Sequence, residues 1–309
     1  MKSYPYYICD VFTDKRFGGN QLAVLPDAQG LTSKQMQQIA REFNFPESTF
    51  VFPAEQGNTR KVRIFTPSTE VPFAGHPNVG TAFLLAKTGQ LVFQQRKDVL
   101  QTVIFEEKAG LVPISITQRA DGGIFCELNA PEMLSLGLSI DAPLVAEALS
   151  LNIDDICLST HQPIVASVGL PFLMVELMSL DALSRARAKL DVFEKIQALG
   201  VTPDIHLYVR RDEVSKAEKQ FDIQARMFAP FDGVPEDPAT GSANCALAGL
   251  LANHSSQQDG MLDWTIAQGV EMGRPSVLKA RALKKAGQVV DTWIGGGSVL
   301  VSKGELYLD

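Results

Sequence analysis

The chain contains two copies of one pattern, and that repeat restricts its fold more than any other feature. Arg63, Phe65, Pro67, Val71 and Pro72 match Arg226, Phe228, Pro230, Val234 and Pro235, always 163 positions apart. Three extra residues follow in the second copy: Glu236, Asp237 and Pro238. Gly75, Ala82, Leu84, Leu85 and Ala86 then match Gly241, Ala248, Leu250, Leu251 and Ala252, 166 apart. Each copy runs strand, Pro-bearing loop, small-residue turn, apolar helix. A period this long is not that of a solenoid. It predicts two lobes built on one plan.

The helix in each copy, expected over Asn78–Ala86 and Ala243–Ala252, is apolar nearly all round. Such a helix has no face for water and belongs inside a lobe. Pro77 suits a first helical turn, and the hydroxyls of Thr240 and Ser242 suit capping. A buried helix that opens in a Gly-bearing turn, at Gly75 or Gly241, presents unbonded N–H groups and the positive end of its dipole. That is a receptor for a carboxylate or another anion. Two such ends, one per lobe, are expected to face one ligand across a cleft.

The bulk numbers narrow the function classes. A chain of 309 residues suggests about two domains, and 45% apolar with 20% charged residues describes a folded globular protein. The net charge of −7, without a basic stripe, argues against nucleic acid and anionic membranes. No apolar run approaches the ~18 residues of a membrane helix, and the opening MKSYPYYICDVF reads as a strand, not a signal peptide. Cys9, Cys126, Cys157 and Cys245 are dispersed, which predicts buried reduced thiols and a cytoplasmic protein. The four histidines form no cluster, so no metal is expected.

Strands are predicted at Tyr6–Phe12, Leu22–Leu25, Thr49–Phe52, Val62–Phe65, Leu91–Phe93, Gln101–Glu106, Leu111–Gln118 and Ile124–Leu128. A helix capped by Thr32 runs to Phe43. Further along, helices are expected at Asp141–Leu149, Leu180–Arg187 and Asp191–Leu199. Strands are expected at Ile164–Val168, Phe172–Leu177, Ile205–Val209, Phe221–Phe228, Thr265–Gly269, Ser276–Leu283, Val289–Gly295, Ser298–Val301 and Glu305–Leu308. Asp212–Lys219 reads as a charged, exposed segment. The order is irregular, so the fold class is α+β: in each lobe, a barrel-like, mostly antiparallel sheet around a central apolar helix. The N-terminal lobe is taken as 1–118, completed by a C-terminal strand near 296–309, and the C-terminal lobe as 119–295.

Glu47 leads the candidates for chemistry. It follows Phe45-Pro46 at the mouth of a strand, where a carboxylate gains a raised pKa and can take and return a proton. Its residue type also allows a plain loop or capping glutamate. His76 lies in the first anion-receptive turn, where it can bond a carboxylate, move a proton, or merely cap its own helix. Asp237, in the three-residue insertion, is either a functional acid or a turn residue before Pro238. Ser242 with His76 and Asp237 raises a serine-hydrolase arrangement, but its setting is not GxSxG. Asn20, after Gly18-Gly19, is either a ligand-reaching amide or a turn former. Gly295-Gly296-Gly297 lacks the helix that a dinucleotide fingerprint needs.

Four stretches together resemble the PhzF-like family of phenazine biosynthesis: REFNFPESTFVF from Arg41, RIFTPSTEVPFAGHPNVGTA from Arg63, MFAPFDGVPEDPATGSANCALA from Met227 and QGVEMGRPS from Gln268. The opening RFGGNQLAVLPDAQGLTSKQMQQIAREF is similar too, so the resemblance spans essentially the whole chain. Wider relatives are diaminopimelate epimerase and proline racemase. The resemblance implies a pseudo-twofold, two-lobed fold, no cofactor and a homodimer. It implies isomerisation by a proton shuttle on a small, cyclic carboxylate such as trans-2,3-dihydro-3-hydroxyanthranilate. It makes Glu47 the acid/base, His76, Asp237 and Ser242 the groups that orient the ring and bind its polar substituents, and Gly75 and Gly241 the carboxylate holders. With the readings of the residues themselves, Glu47, His76 and Asp237 are taken as catalytic and Asn20, Gly75, Thr240, Gly241 and Ser242 as substrate-binding. The epimerase relatives carry two cysteines where this chain has Ala74 and Thr240, and neither of these can act as a thiol base. Pro238 stands where the phenazine enzyme has alanine. Rival readings are an epimerase of a small amino or hydroxy acid, and a non-catalytic carboxylate binder.

Overall fold

The computed structural model describes residues 2–91, 100–211 and 220–308. Its elements begin with β1 (Lys2–Val11), β2 (Asn20–Leu25), α1 (Ser33–Phe43), β3 (Glu47–Phe52), β4 (Arg60–Phe65) and β5 (Glu70–Val71). Next come α2 (Gly75–Lys87), β6 (Gln101–Glu107), β7 (Gly110–Gln118), β8 (Ile124–Asn129) and β9 (Ser135–Ser139). Then follow α3 (Ala142–Ala148), β10 (Ile164–Ser167), β11 (Pro171–Glu176), α4 (Leu180–Arg185), α5 (Leu190–Ala198) and β12 (Ile205–Arg210). The chain continues with β13 (Ile223–Ala229), β14 (Val234–Asp237), α6 (Gly241–His254), β15 (Gly260–Gln268), β16 (Ser276–Lys285) and β17 (Gln288–Leu308). It divides into two compact units, Met1–Asn129 with Gly295–Asp309, and Ala130–Ile294.

In the first unit, β1 pairs antiparallel with β2 on one side and with residues 298–308 of β17 on the other. From β2 the ring continues parallel to β3, antiparallel to β4, parallel to β6, then antiparallel to β7 and β8. β8 meets β17 again, so the barrel closes and leaves no open edge. Parallel neighbours need long crossovers, and helices supply both. The β2–β3 crossover carries α1, whose Met36, Ile39 and Ala40 pack with Leu25, Phe50 and Phe65. The β4–β6 crossover carries α2, which lies inside, against β1, β2, β3, β7 and β8. Every α2 residue from Gly75 to Ala86 is buried, as an all-apolar helix requires. At Gly80 an added Cβ would come within 2.6 Å of Leu22 and Val11 side-chain carbons, so only glycine lets α2 approach the wall this closely.

The second unit repeats the plan. β10, β11, β12, β13, β15 and β16 join in succession as antiparallel, parallel, antiparallel, parallel, antiparallel. β9 pairs with the free side of β10. Here α4 and α5 serve the first crossover and α6 the second. Val192, Phe193 and Ile196 of α5 share a core with Leu173, Val175 and Leu207, each such side chain contributing about 1.5–3 kcal/mol on burial. α6 is buried from Ala243 to Ala252.

Several expectations are corrected. The unit boundary falls after Asn129 rather than near Arg119, because β8 pairs along β7. The strands expected at Val289–Gly295, Ser298–Val301 and Glu305–Leu308 are one continuous strand of 21 residues. Its three glycines are not a break. A Cβ on Gly295 would come within 2.7 Å of the Cys126 carbonyl oxygen, where β8 passes. β9 was missed, since its residues are all exposed and give no alternating pattern. α2 starts at Gly75, two residues before Pro77, with Ala74 as its cap. Cys157 is only half-buried, unlike the other three free cysteines. The strand expected at Leu91–Phe93 lies beyond the described residues after Leu91, and Asp212–Lys219 lies wholly outside them.

Candidate active site

Glu47 is the first residue of β3, paired with Leu22 of β2. Its Oε2 lies 3.4 Å from Nδ1 of His76, the second residue of α2. The other ring nitrogen, Nε2, is 3.3 Å from the Gln21 carbonyl oxygen. A carbonyl only accepts, so that contact places the imidazole proton on Nε2 and turns the Nδ1 lone pair toward Glu47. His76 is 4% exposed, and burial pushes its pKa down to about 3. The ring is therefore neutral at physiological pH and can accept a hydrogen bond from a protonated Glu47 or from a ligand. Ala74, the cap of α2, has no side-chain oxygen to bond the first N–H groups. The turn at Gly75 therefore starts α2 with no side-chain cap from Ala74, the geometry that an anion-receptive helix end requires. Asn20 is not a turn residue: it opens β2 and is fully buried.

The second unit builds its helix end differently. Asp237 closes β14, and its Oδ2 accepts from the Thr240 hydroxyl at 2.5 Å. Thr240 caps α6 by position, but its hydroxyl is turned to Asp237 rather than to the helix, contrary to the capping role expected for it. Gln268, the last residue of β15, fixes the turn itself. Its Oε1 accepts from the Thr240 N–H at 3.2 Å and from Asn244 Nδ2 at 2.6 Å. Its Nε2 donates to the Asp237 carbonyl at 2.7 Å and to Thr240 Oγ1 at 3.1 Å. Gly269 follows with φ of 72°, and a Cβ there would come within 2.6 Å of the Pro238 carbonyl. Ser276 donates to that same carbonyl at 2.9 Å. The QGVEMGRPS stretch is thus the support of the Asp237–Gly241 turn. Ser242 is half-buried in the first turn of α6. Both ring nitrogens of His76 already face Gln21 and Glu47, so the histidine is not set up to activate a serine.

The repeated arginines anchor the loops that lead into both helix ends. Arg63 makes a two-pronged pair with Glu70 at 2.7 and 2.8 Å, and Arg226 does the same with Glu236 at 2.8 and 2.9 Å. Each guanidinium also lies over the Phe two residues on, at 5.1 Å from the Phe65 centroid and 4.8 Å from that of Phe228. Sequence reasoning noted these arginines only as repeat markers. It missed Gln268, Asn78 and Asn244 as working residues, although Asn78 and Asn244 are also 166 positions apart. Each donates from Nδ2 to the carbonyl of its helix cap, Ala74 at 3.0 Å and Thr240 at 2.9 Å. Among the described residues no three His, Cys, Asp or Glu side chains gather as metal ligands, and no helix is long and apolar enough to cross a membrane.

Residues 9–304 match the family described as phenazine biosynthesis-like protein, PhzC-PhzF. The chain is 35% identical over 306 residues to the trans-2,3-dihydro-3-hydroxyanthranilate isomerase of Pseudomonas aeruginosa, covering 99% of this chain and 100% of that one. An uncharacterized isomerase of Mesorhizobium japonicum is 34% identical, with both chains covered fully. The crystal structure of a Bacillus anthracis phenazine biosynthesis protein of the PhzF family superposes with a TM-score of 0.88 at 25% identity, again over the full length of both. This fold, this span and these relatives lead to one assignment: the chain belongs to the PhzC-PhzF family of phenazine biosynthesis-like proteins and is an enzyme of the isomerase class.

Proposed function

We propose that the protein moves a proton between carbons of a small, cyclic carboxylate without a cofactor, on a substrate resembling trans-2,3-dihydro-3-hydroxyanthranilate. The contact of Glu47 with neutral His76, one residue inside the α2 helix end, carries this reading. A substrate carboxylate binds at the N–H groups around Gly75. The Glu47 carboxylate takes a proton from an acidified ring carbon, and the electron pair spreads into the adjoining unsaturated system. The new Glu47 carboxylic acid donates toward His76 Nδ1 while it waits, then returns the proton to a second carbon. Bonds and electrons balance with no oxidant or reductant. Asn20 supplies a buried amide near this turn. In the second unit, Asp237 acts as an acid–base group or as an acceptor for amino and hydroxyl substituents, and Thr240, Gly241 and Ser242 form the second anion-receptive end. We further propose a cytoplasmic homodimer, to be checked by light scattering in solution and by fractionation.

The test is deuterium incorporation at carbon in D2O, with trans-2,3-dihydro-3-hydroxyanthranilate and related ring carboxylates. Wild-type protein is expected to exchange and isomerise. Glu47→Gln is expected to bind with similar affinity and to lose roughly a hundred- to ten-thousand-fold in rate, the range for removing a general acid–base. Exchange that survives the substitution would remove Glu47 from the mechanism. Exchange at a single stereocentre without bond migration would assign epimerisation instead.

A further inference from the structure

Superposing the pairing registers of the two units identifies a residue that the sequence repeat does not reveal. Phe50 pairs with Arg63, and Leu207 pairs with Arg226. One strand further, Lys61 pairs with Glu106, and Gln224 pairs with Ala267. Since Arg63 and Arg226 are equivalent, so are Lys61 and Gln224, and therefore Glu106 and Ala267. The next position is Glu107 in the first unit and Gln268 in the second, and each is the last residue of its strand.

Gln268 is the residue that holds the Thr240 turn through Asn244. Asn78, the equivalent of Asn244, makes the equivalent bond to its own cap residue, and its amide is the group that favours the charged form of Glu107. The two units therefore share one arrangement, with an asparagine amide between the cap carbonyl and the end of a strand. In one unit that strand ends in a carboxamide, in the other in a carboxyl.

An amide offers an acceptor oxygen and a donor nitrogen, whereas a carboxylate offers only acceptors. A carboxylic acid restores the match, with one oxygen accepting and one O–H donating. Both Glu107 oxygens are out of contact with solvent and make no hydrogen bond of good geometry among the described residues. A charge there has neither water nor donors enough to hold it.

We propose that Glu107 is a positioning residue that works as a neutral carboxylic acid, the first unit's counterpart of Gln268, and that it holds the Ala74–Asn78 turn through Asn78 in the shape that receives an anion. Burial pushes its pKa up to about 8, against the opposing pull of the Asn78 amide. The charged groups on neighbouring elements are engaged elsewhere. Lys61 pairs with Glu55, and Arg63 pairs with Glu70, close to which Lys108 also lies. Arg60 donates to the Thr59 and Gln90 carbonyls. Glu106, next in the strand and so on the opposite face, accepts from Glu55, Gln56 and Asn58. β7 brings no ionisable side chain, and His76 on α2 is neutral. Ionisation of Glu107 therefore places an uncompensated negative charge beside the helix end meant for a carboxylate.

The test compares wild type, Glu107→Gln and Glu107→Ala as full-length proteins. Because the folded carboxyl holds its proton to a higher pH than the unfolded one, its own contribution to stability falls as pH rises from 4.5 to about 8 and then levels; buried His76 adds the opposite slope below 6.5, so the fall is read between pH 6.5 and 8. Wild type is expected to show this slope in Tm, together with an infrared carboxylic-acid band that disappears near pH 8. Glu107→Gln is expected to lack both and to be at least as stable as wild type at alkaline pH. Glu107→Ala lacks the slope too, but is less stable than Glu107→Gln at every pH. A slope and band unchanged in Glu107→Gln would overturn the proposal. On the proposed function rests one further expectation: KM rises through about pH 8 in wild type and not in Glu107→Gln, with kcat moving less. The Tm and infrared measurements decide the state of Glu107 even if no exchange reaction is found, so the two readings fail separately.

Discussion

His76 has one proton to place, and the Gln21 carbonyl decides where it goes. A neutral ring cannot supply an acid limb near its ordinary pKa of 6.5, so the pH profile of the reaction near that value is expected to owe nothing to His76. Nitrogen NMR is expected to show a neutral ring with Nε2 protonated well below pH 6.5. The same burial makes the protein acid-labile. The folded ring binds its proton only near pH 3, the unfolded ring at 6.5, so this contribution to stability is present above 6.5 and is lost as pH falls toward 3. The loss reaches at most roughly 5 kcal/mol. Urea midpoints measured across that range should fall in wild type and fall less in His76→Gln. Glu47 and His76 were legible because each sits in a short run whose neighbours announce it: Phe-Pro before one, Gly before and Pro after the other. Glu107 and Gln268 were not. Nothing near Glu107 in sequence marks it, and Gln268 opens the QGVEMGRPS stretch with no sign there of its role; the importance of both comes from ending a strand against the opening of a helix more than twenty residues away.

The elements themselves were easier to read, and for a physical reason. An all-apolar helix has a single solution in water, and both α2 and α6 adopt it. The capped helix from Thr32 to Phe43 was predicted from Thr32 and the spacing of Met36, Ile39 and Ala40. The structure shows the full capping box, with Gln35 answering Thr32. Where prediction failed, the local signal was weak or misleading: β9 is exposed throughout, and the glycines of β17 look like a turn. The loops before α2 and α6 depend on their arginine pairs. Arg226 is 4% exposed and Arg63 24%. Arg226→Met strands Glu236 and the carbonyls of Leu183 and Ala186, to which Arg226 also donates. It is expected to cost about 3–5 kcal/mol, the range for breaking one side of a buried pair. Arg63→Met is expected to cost about 1 kcal/mol, because water can replace the lost partner. Chemical denaturation of the two variants side by side checks the difference.

For the molecule as a whole, the duplication visible in the sequence is the duplication of the fold, down to which strand pairs are parallel. The repeat could not tell how the chain divides, since that depends on long-range pairing. The first barrel is closed by residues 298–308, which follow every residue of the second unit in the chain. A protein ending at Ile294 keeps all of the second unit and loses the strand that seals the first between β1 and β8. It is expected to leave residues 1–129 open to limited proteolysis, while 130–294 resists. Equal resistance of both stretches would contradict the closure described for β17.

That same strand sets a timetable during synthesis. A ribosome delivers the Glu47 and His76 segment before the second unit, yet cannot release its sealing strand until every residue of that unit has been made. The half that begins first is completed last. Until then the newborn polypeptide exposes the bare edges of β1 and β8, the stretch of its life when a chaperone would find most to hold.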